Sequence, residues 1–168
     1  MSKSPKQTYL EDFDREHERT MRVLHAFPPE KSELRAHPKL RNARELAFVF
    51  VLERGLGTKV WHDELAKGGG PSGAYPQAPE KWEDVLAALE KASADFRGLI
   101  ESASDDDLNE IVHFFTGPKQ MGEISRIDWL WFLLFDQIHH RGQFSVYLRL
   151  AGAKVPSIYG PSADEPWI

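Results

Sequence analysis

The sequence predicts an all-α protein built as a four-helix bundle. Three observations predict it. Four long stretches repeat their apolar residues at steps of three and four, the spacing of a helix with one buried face. No convincing run of alternating strand residues accompanies them. Proline- and glycine-rich segments fall where the helical patterns stop. Helices that each bury one stripe pack against one another as a bundle. At 168 residues, one domain spanning 1–168 is long enough to bury a core.

The first helix is expected from Thr8 to Phe27. Leu10, Phe13, Thr20, Met21, Leu24 and Phe27 share its apolar face, and Pro28 and Pro29 stop it. His17 edges that face, as a ligand or as a partly buried core histidine. Glu30 to Leu40 reads as a loop in which His37, just before Pro38, is a ligand or a residue near a pocket mouth. Asn42 caps a second helix, with Glu45 completing a capping box, and the pattern runs to about Leu65. Its stripe is Leu46, Val49, Phe50, Glu53, Leu56 and then Val60 or Trp61. Glu53 is the odd member, because a carboxylate on an apolar face must be paired, hydrogen-bonded or bound to a metal. His62 lies where a helix end favours it.

Lys67 to Pro79 reads as a loop crossing one end of the bundle. A third helix follows from Glu80 to Ser102, with Pro79 at its start and Trp82, Val85, Leu86, Leu89, Phe96, Leu99 and Ile100 as its stripe. Ile111 to Phe115 is β-prone, a short extended segment or hairpin arm. Ser125 or Glu123 caps the last helix, and Gly152 ends it. Its apolar positions are Ile127, Leu130, Trp131, Leu134, Phe135 and Ile138, then Val146, Leu148 and Leu150. The tail from Val155 to Trp167 carries enough apolar surface to pack back on the helices.

Composition excludes several functions. A net charge of −5 argues against a nucleic-acid surface. No stretch of about 18 uncharged apolar residues suggests a membrane span, and the N-terminal residues lack the apolar core of a signal peptide. Cysteine is absent, which fits a cytoplasmic protein and leaves only nitrogen and oxygen as metal ligands. Ser157 and Ser162 have no convincing base, so a serine hydrolase is a weak reading. Asp136 and His140 stand four apart and point the same way on the last helix. They suit either one divalent ion or one plain hydrogen bond. His139 projects about 100° away from His140.

The stretch DQIHHRGQFSVYLRLAGAKVPSIYGPSADEPW resembles the DinB/YfiT-like superfamily, and RAHPKLRNARELAFVFVLERG resembles its second-helix region. The resemblance implies an up-down-down-up bundle and a homodimer. It implies a zinc or nickel ion held by three histidines, one on the second helix and two spaced by four on the last. It also implies, for some relatives, metal-dependent transferase or isomerase chemistry with a low-molecular-weight thiol. Carried onto this chain, His140 is the histidine of HRGQ. Asp136 stands where the resemblance expects histidine, and Val49 occupies the second-helix slot.

The expected site is therefore degenerate. Asp136 and His140 alone bind a divalent metal weakly or not at all, unless Glu53, one turn beyond Val49, completes the shell. His139 and Arg141 are expected in the pocket or behind the ligands, with Arg141 pairing Glu53 or a carboxylate of a second chain. The leading expectation is a metal-poor protein serving small-molecule binding or a stress-related role. The alternative is the metal-dependent transferase or isomerase. A third is a structural dimer, with Trp129, Trp131 and Phe132 partly at its interface.

Overall fold

The computed structural model describes residues 3–68 and 76–168. Four helices dominate: α1 Pro5–His25, α2 Ala43–Trp61, α3 Trp82–Ser102 and α4 Arg126–Leu150. α2 packs on α3 and α4, and α1 packs on α4 and α3. The caps follow from local sequence. Ser4 accepts from the Gln7 amide and Asn42 from the Glu45 amide, each in a reciprocal capping box. Ser125 accepts from the Asp128 amide, and α4 ends at Ala151 before Gly152, whose φ of 74° suits glycine.

The all-α expectation needs a correction. Strand β1 (Ile111–Gly117) pairs antiparallel with β2 (Gln120–Ser125) in a two-stranded sheet. Lys119 takes the turn at φ 60°. The second strand, with Gly122 and Glu123, lacks an apolar alternation that would announce it. Its last residue is also the cap of α4, so the hairpin is fixed to that helix, with the Phe114 ring 4.3 Å from Trp129. Two helix ends also differ from expectation. α2 stops at Trp61, where the chain turns and Asp63 takes φ 54°; α3 begins only at Trp82. The loop expected over Lys67–Pro79 lies mostly outside the described residues.

The core is two apolar clusters, each drawing on all four helices. One gathers Met21, Leu24, Phe27, Phe50, Trp82, Leu89, Phe144 and Leu148. The other gathers Tyr9, Phe13, Val60, Trp61, Phe96, Ile100, Trp129 and Leu133. Along every helix, buried polar residues fall between the two: Glu16 and Thr20 on α1, Glu53 and Arg54 on α2, Ser93 on α3, Gln137 and Arg141 on α4. The molecule thus carries a polar layer across its middle.

α4 is rotated from the face its sequence suggests. Trp129, Leu130, Leu133, Leu134, Gln137, Arg141, Phe144, Tyr147 and Leu148 are buried, whereas Phe135, Val146 and Leu150 are more than half exposed. The helix is apolar on several faces, so periodicity alone could not choose among them. Trp129, expected partly at an interface, is fully buried. The tail is held by Arg149 and the Val155 amide on Asp164, by the Ser157 amide on Glu165, and by Ser162 on the Val155 carbonyl. Val155 and Ile158 pack on the core, but Tyr159 and Trp167 stay mostly exposed, contrary to expectation. Their polar tips are what is held: Trp167 Nε1 donates to Ser157, and the Tyr159 hydroxyl donates to Glu16.

Candidate metal centre

Glu53 projects from the middle of α2 into the polar layer, with only 6% of its surface exposed. Across from it, Asp136 and His140 share one face of α4. His140 Nε2 stands 3.3 Å from Glu53 Oε1 and 3.7 Å from Asp136 Oδ2. One ligand atom from each of the three lies within 4.8 Å of the other two. Ligands about 2.1 Å from a tetrahedral zinc stand about 3.4 Å apart, so the trio is spaced to hold a divalent ion.

Three further observations fit such an ion. Neither oxygen of Glu53 meets a hydrogen-bond donor of good geometry among the described residues, although both are buried, and the neighbour close enough to share a proton with it is the Asp136 carboxyl. A buried carboxylate without donors calls for a proton or a cation. Burial first, then the Asp136 carboxylate, push the Glu53 acid up to about 9 in the absence of any ion. The third observation concerns the ring of His140. Gln143 donates its amide to His139 Nε2 at 2.8 Å, which turns its Oε1 toward His140 Nδ1 at 3.3 Å. His140 then donates from Nδ1 and presents the lone pair of Nε2 to the two carboxylates. A lone pair facing carboxylates needs a proton or metal between them, and a carbonyl behind the other nitrogen is the usual support of a metal-ligating imidazole.

Glu53 therefore joins the pair that the sequence singled out. Val49 is buried on the same stripe, between Leu46, which lines the cleft beside His140, and Glu53. His139 is exposed, its ring centroid 5.5 Å from that of His140, and it is tied to His140 by hydrogen bonds through Gln143, a residue that sequence reasoning passed over. Its signal was present: HHRGQ places an amide one turn beyond the histidine pair.

Arg141 corrects the expectation made for it. Within the chain it pairs with Glu16 and not with Glu53. Its guanidinium, 2% exposed, faces α1, where it meets Glu16 at 2.5 Å, the Glu16 carbonyl at 3.1 Å, and the Tyr159 hydroxyl. A step of one residue turns it about 100° from His140, onto a different face of α4. Burial would raise the Glu16 acid, but the Tyr159 hydroxyl, then Arg141 and Arg19, together hold it below its ordinary range.

The other histidines stand apart from the trio. His17 is half-buried, its Nδ1 without a hydrogen-bond partner among the described residues, and burial lowers its pKa. His37 is exposed and accepts the Lys39 amide. His62 is the C-cap of α2. Ser157 and Ser162 tie the tail together and bond to no histidine among the described residues.

Comparison with known proteins decides the family. The model of the DinB family matches residues 1–167. The chain belongs to the DinB family. It is 32% identical over 121 residues to YrdA of Bacillus subtilis (strain 168), an uncharacterized protein, spanning 66% of this chain and 69% of YrdA. Among solved structures, a DinB-like protein from Bacillus cereus ATCC 10987 matches with a TM-score of 0.73 at 24% identity, over 91% of this chain and 97% of that one. The DinB-like protein YjoA from Bacillus subtilis matches with a TM-score of 0.68 at 12% identity, over 89% and 96%. At those identities the likeness is one of fold.

Proposed function

We propose that this DinB protein is a metal-dependent small-molecule enzyme whose ion is held by Glu53, Asp136 and His140. The observation that carries the reading is the buried, unpartnered carboxylate of Glu53 facing the Nε2 of His140. Two carboxylates and one imidazole make a harder donor set than three histidines, and so favour zinc or manganese over nickel. Three protein ligands leave a position open, where a bound ion would lower the pKa of a water or thiol. The family resemblance supports transfer or isomerisation with a low-molecular-weight thiol as the reaction class. The chain's own residues do the rest. Gln143 fixes the tautomer of His140, burial strips water from Glu53, and the half-exposed Asp136 keeps one edge of the site open. The four helices are read here as an up-down-down-up bundle, with the site at its polar mid-layer.

Metal content of protein prepared without chelator or nickel resin tests this. About one zinc or manganese per chain, lost in Glu53→Gln, is the expected result. A chain with no ion, and no zinc uptake on titration, would overturn it.

One observation favours a second, metal-free reading. At neutral pH the Glu53 acid is protonated when no ion is present, and a neutral acid can donate to His140 Nε2. The trio would then be a satisfied polar cluster in a protein that binds small molecules. The same metal measurement separates the two.

A further inference from the structure

A cleft of about 730 Å³ opens beside His140, between α4 and the loop that precedes α2. The volume is that of a small-molecule site. Its lining is unlike the chain as a whole. The chain has 26 acidic and 21 basic residues, yet the lining holds Arg35, Lys39 and Arg41 and no carboxylate. Arg35 is already committed, donating to Glu45 at 3.0 Å and to the Leu40 carbonyl. Neither Lys39 nor Arg41 forms a salt bridge among the described residues, although the Arg41 charge reaches Glu53 and draws its pKa down.

The cleft is also apolar where it is open. Leu40 is 48% exposed and Val146 57% exposed, and both line it. The loop that brings the cations there is not adrift. The Tyr147 hydroxyl donates to the Arg41 carbonyl at 2.6 Å, which fixes the rim to α4 two turns beyond His140. Capping of α2 by Asn42 fixes it from the other side.

We infer that this cleft takes a small amphiphilic anion, with a carboxylate or phosphate group on Lys39 and Arg41, an apolar stem on Leu40 and Val146, and its reacting end at His140. The inference deepens the metal-site reading and rests on it for the reacting end, but the rim does not need the ion. Two unpaired cations over a cleft with exposed apolar walls select one charge and one apolar segment together. A neutral ligand of the same shape leaves both cations unmatched, and a bare anion leaves the leucine and valine in water.

The test uses the full chain stripped of metal, titrated with hexanoate, hexyl phosphate and hexanamide and followed by amide chemical shifts. At low salt the anions should bind about tenfold tighter than hexanamide, with shifts at Gln143, Val146 and the rim loop. The double variant Lys39→Gln/Arg41→Gln should lose that preference while keeping its helical circular dichroism. Preference for hexanoate alone identifies a carboxylate ligand, for hexyl phosphate alone a phosphate, and for both a site that reads charge. Equal binding of all three, no binding of any, or an unaltered preference in the double variant would overturn the inference. Zinc titration of the same two proteins keeps the readings apart. Anion preference without zinc binding leaves the rim standing and the metal centre refuted, and zinc binding without anion preference does the reverse.

Discussion

Replacing Glu53 by Gln keeps the shape of the side chain and removes its charge. In the metal-free protein the folded acid titrates at about 9, against an ordinary 4.5 in the unfolded chain. A raised carboxyl pKa means that the folded state keeps a proton the unfolded state has lost. Stability from that proton is complete below pH 4.5 and is given up as pH rises toward 9. At about 1.4 kcal/mol per pH unit, the group costs about 3 kcal/mol at pH 7. Glu53→Gln lifts this cost, since an amide needs no proton to stay neutral. Urea unfolding of both proteins after chelation should show no difference at pH 4. The variant should be the more stable by about 3 kcal/mol at pH 7, with the gap still widening at pH 8. Zinc should reverse the order. The ion displaces the Glu53 proton, so wild-type affinity should climb about tenfold per pH unit from 6 to 8, with one proton released per ion. In the variant that climb should vanish along with most of the zinc-induced rise in Tm. A stability difference that does not change with pH would show that Glu53 is ionised without metal, and would refute the argument from burial.

Four other outcomes are expected. Arg141→Met should destabilise the fold by about 1–3 kcal/mol in urea, because it leaves buried Glu16 with only Arg19 and the Tyr159 hydroxyl; adding Glu16→Gln should recover part of the loss. Gly57→Ala should cost about 1–3 kcal/mol, since a Cβ there would meet Leu133 and Phe96 at 2.8 Å; an unchanged midpoint would mean that α2 is not so closely packed. Val49→His should tighten zinc binding by calorimetry, by about tenfold or more, because it adds an imidazole one turn from Glu53; unaltered affinity would place Val49 out of reach of the donors. Sedimentation should show a dimer at micromolar concentration that Phe135→Glu weakens, because Phe132, Phe135 and Leu150 expose an apolar stripe on α4; a wild-type monomer would refute it.

Local chemistry made much of the fold legible. Asn42 and Ser125 cap the helices predicted to begin there, and Gly152 closes α4, because each acts through its immediate neighbours. The capping box of Ser4 and Gln7 was equally readable and shows α1 starting three residues before the expected Thr8. What resisted reading depends on contacts far along the chain. α4 offers apolar residues on several faces, and only packing against α1 and α2 selects Trp129, Leu133 and Phe144 over Phe135 and Val146. β2 is held by its pairing with β1 and by little in its own composition. At the site, Asp136 and His140 were marked by spacing and Glu53 by its place on an apolar stripe. The distance joining them, and the orientation that Gln143 gives His140, belong to the tertiary fold.

The polar layer explains how one helix serves stability and chemistry together. Consecutive residues leave α4 about 100° apart, so His140 and Arg141 address different partners from nearly the same height. Arg141 meets its charge in Glu16, and the pair is further held by Tyr159 from the tail. His140 faces Glu53, whose carboxyl oxygens have no hydrogen-bond partner of good geometry among the described residues. On α2 the same step separates Glu53 from Arg54, a fully buried guanidinium that stacks on Phe13, donates to Ser93 and is lowered by burial to about 10. The ion pair of Glu16 and Arg141 holds the mid-layer in place, whereas both Glu53 oxygens, Arg54 Nη1 and Gln137 Nε2 lie buried there without a hydrogen-bond partner among the described residues. An apolar residue at 53 would give a more stable molecule with a continuous core. The carboxylate there is a standing cost of folding, which binding of a cation at His140 and Asp136 would offset.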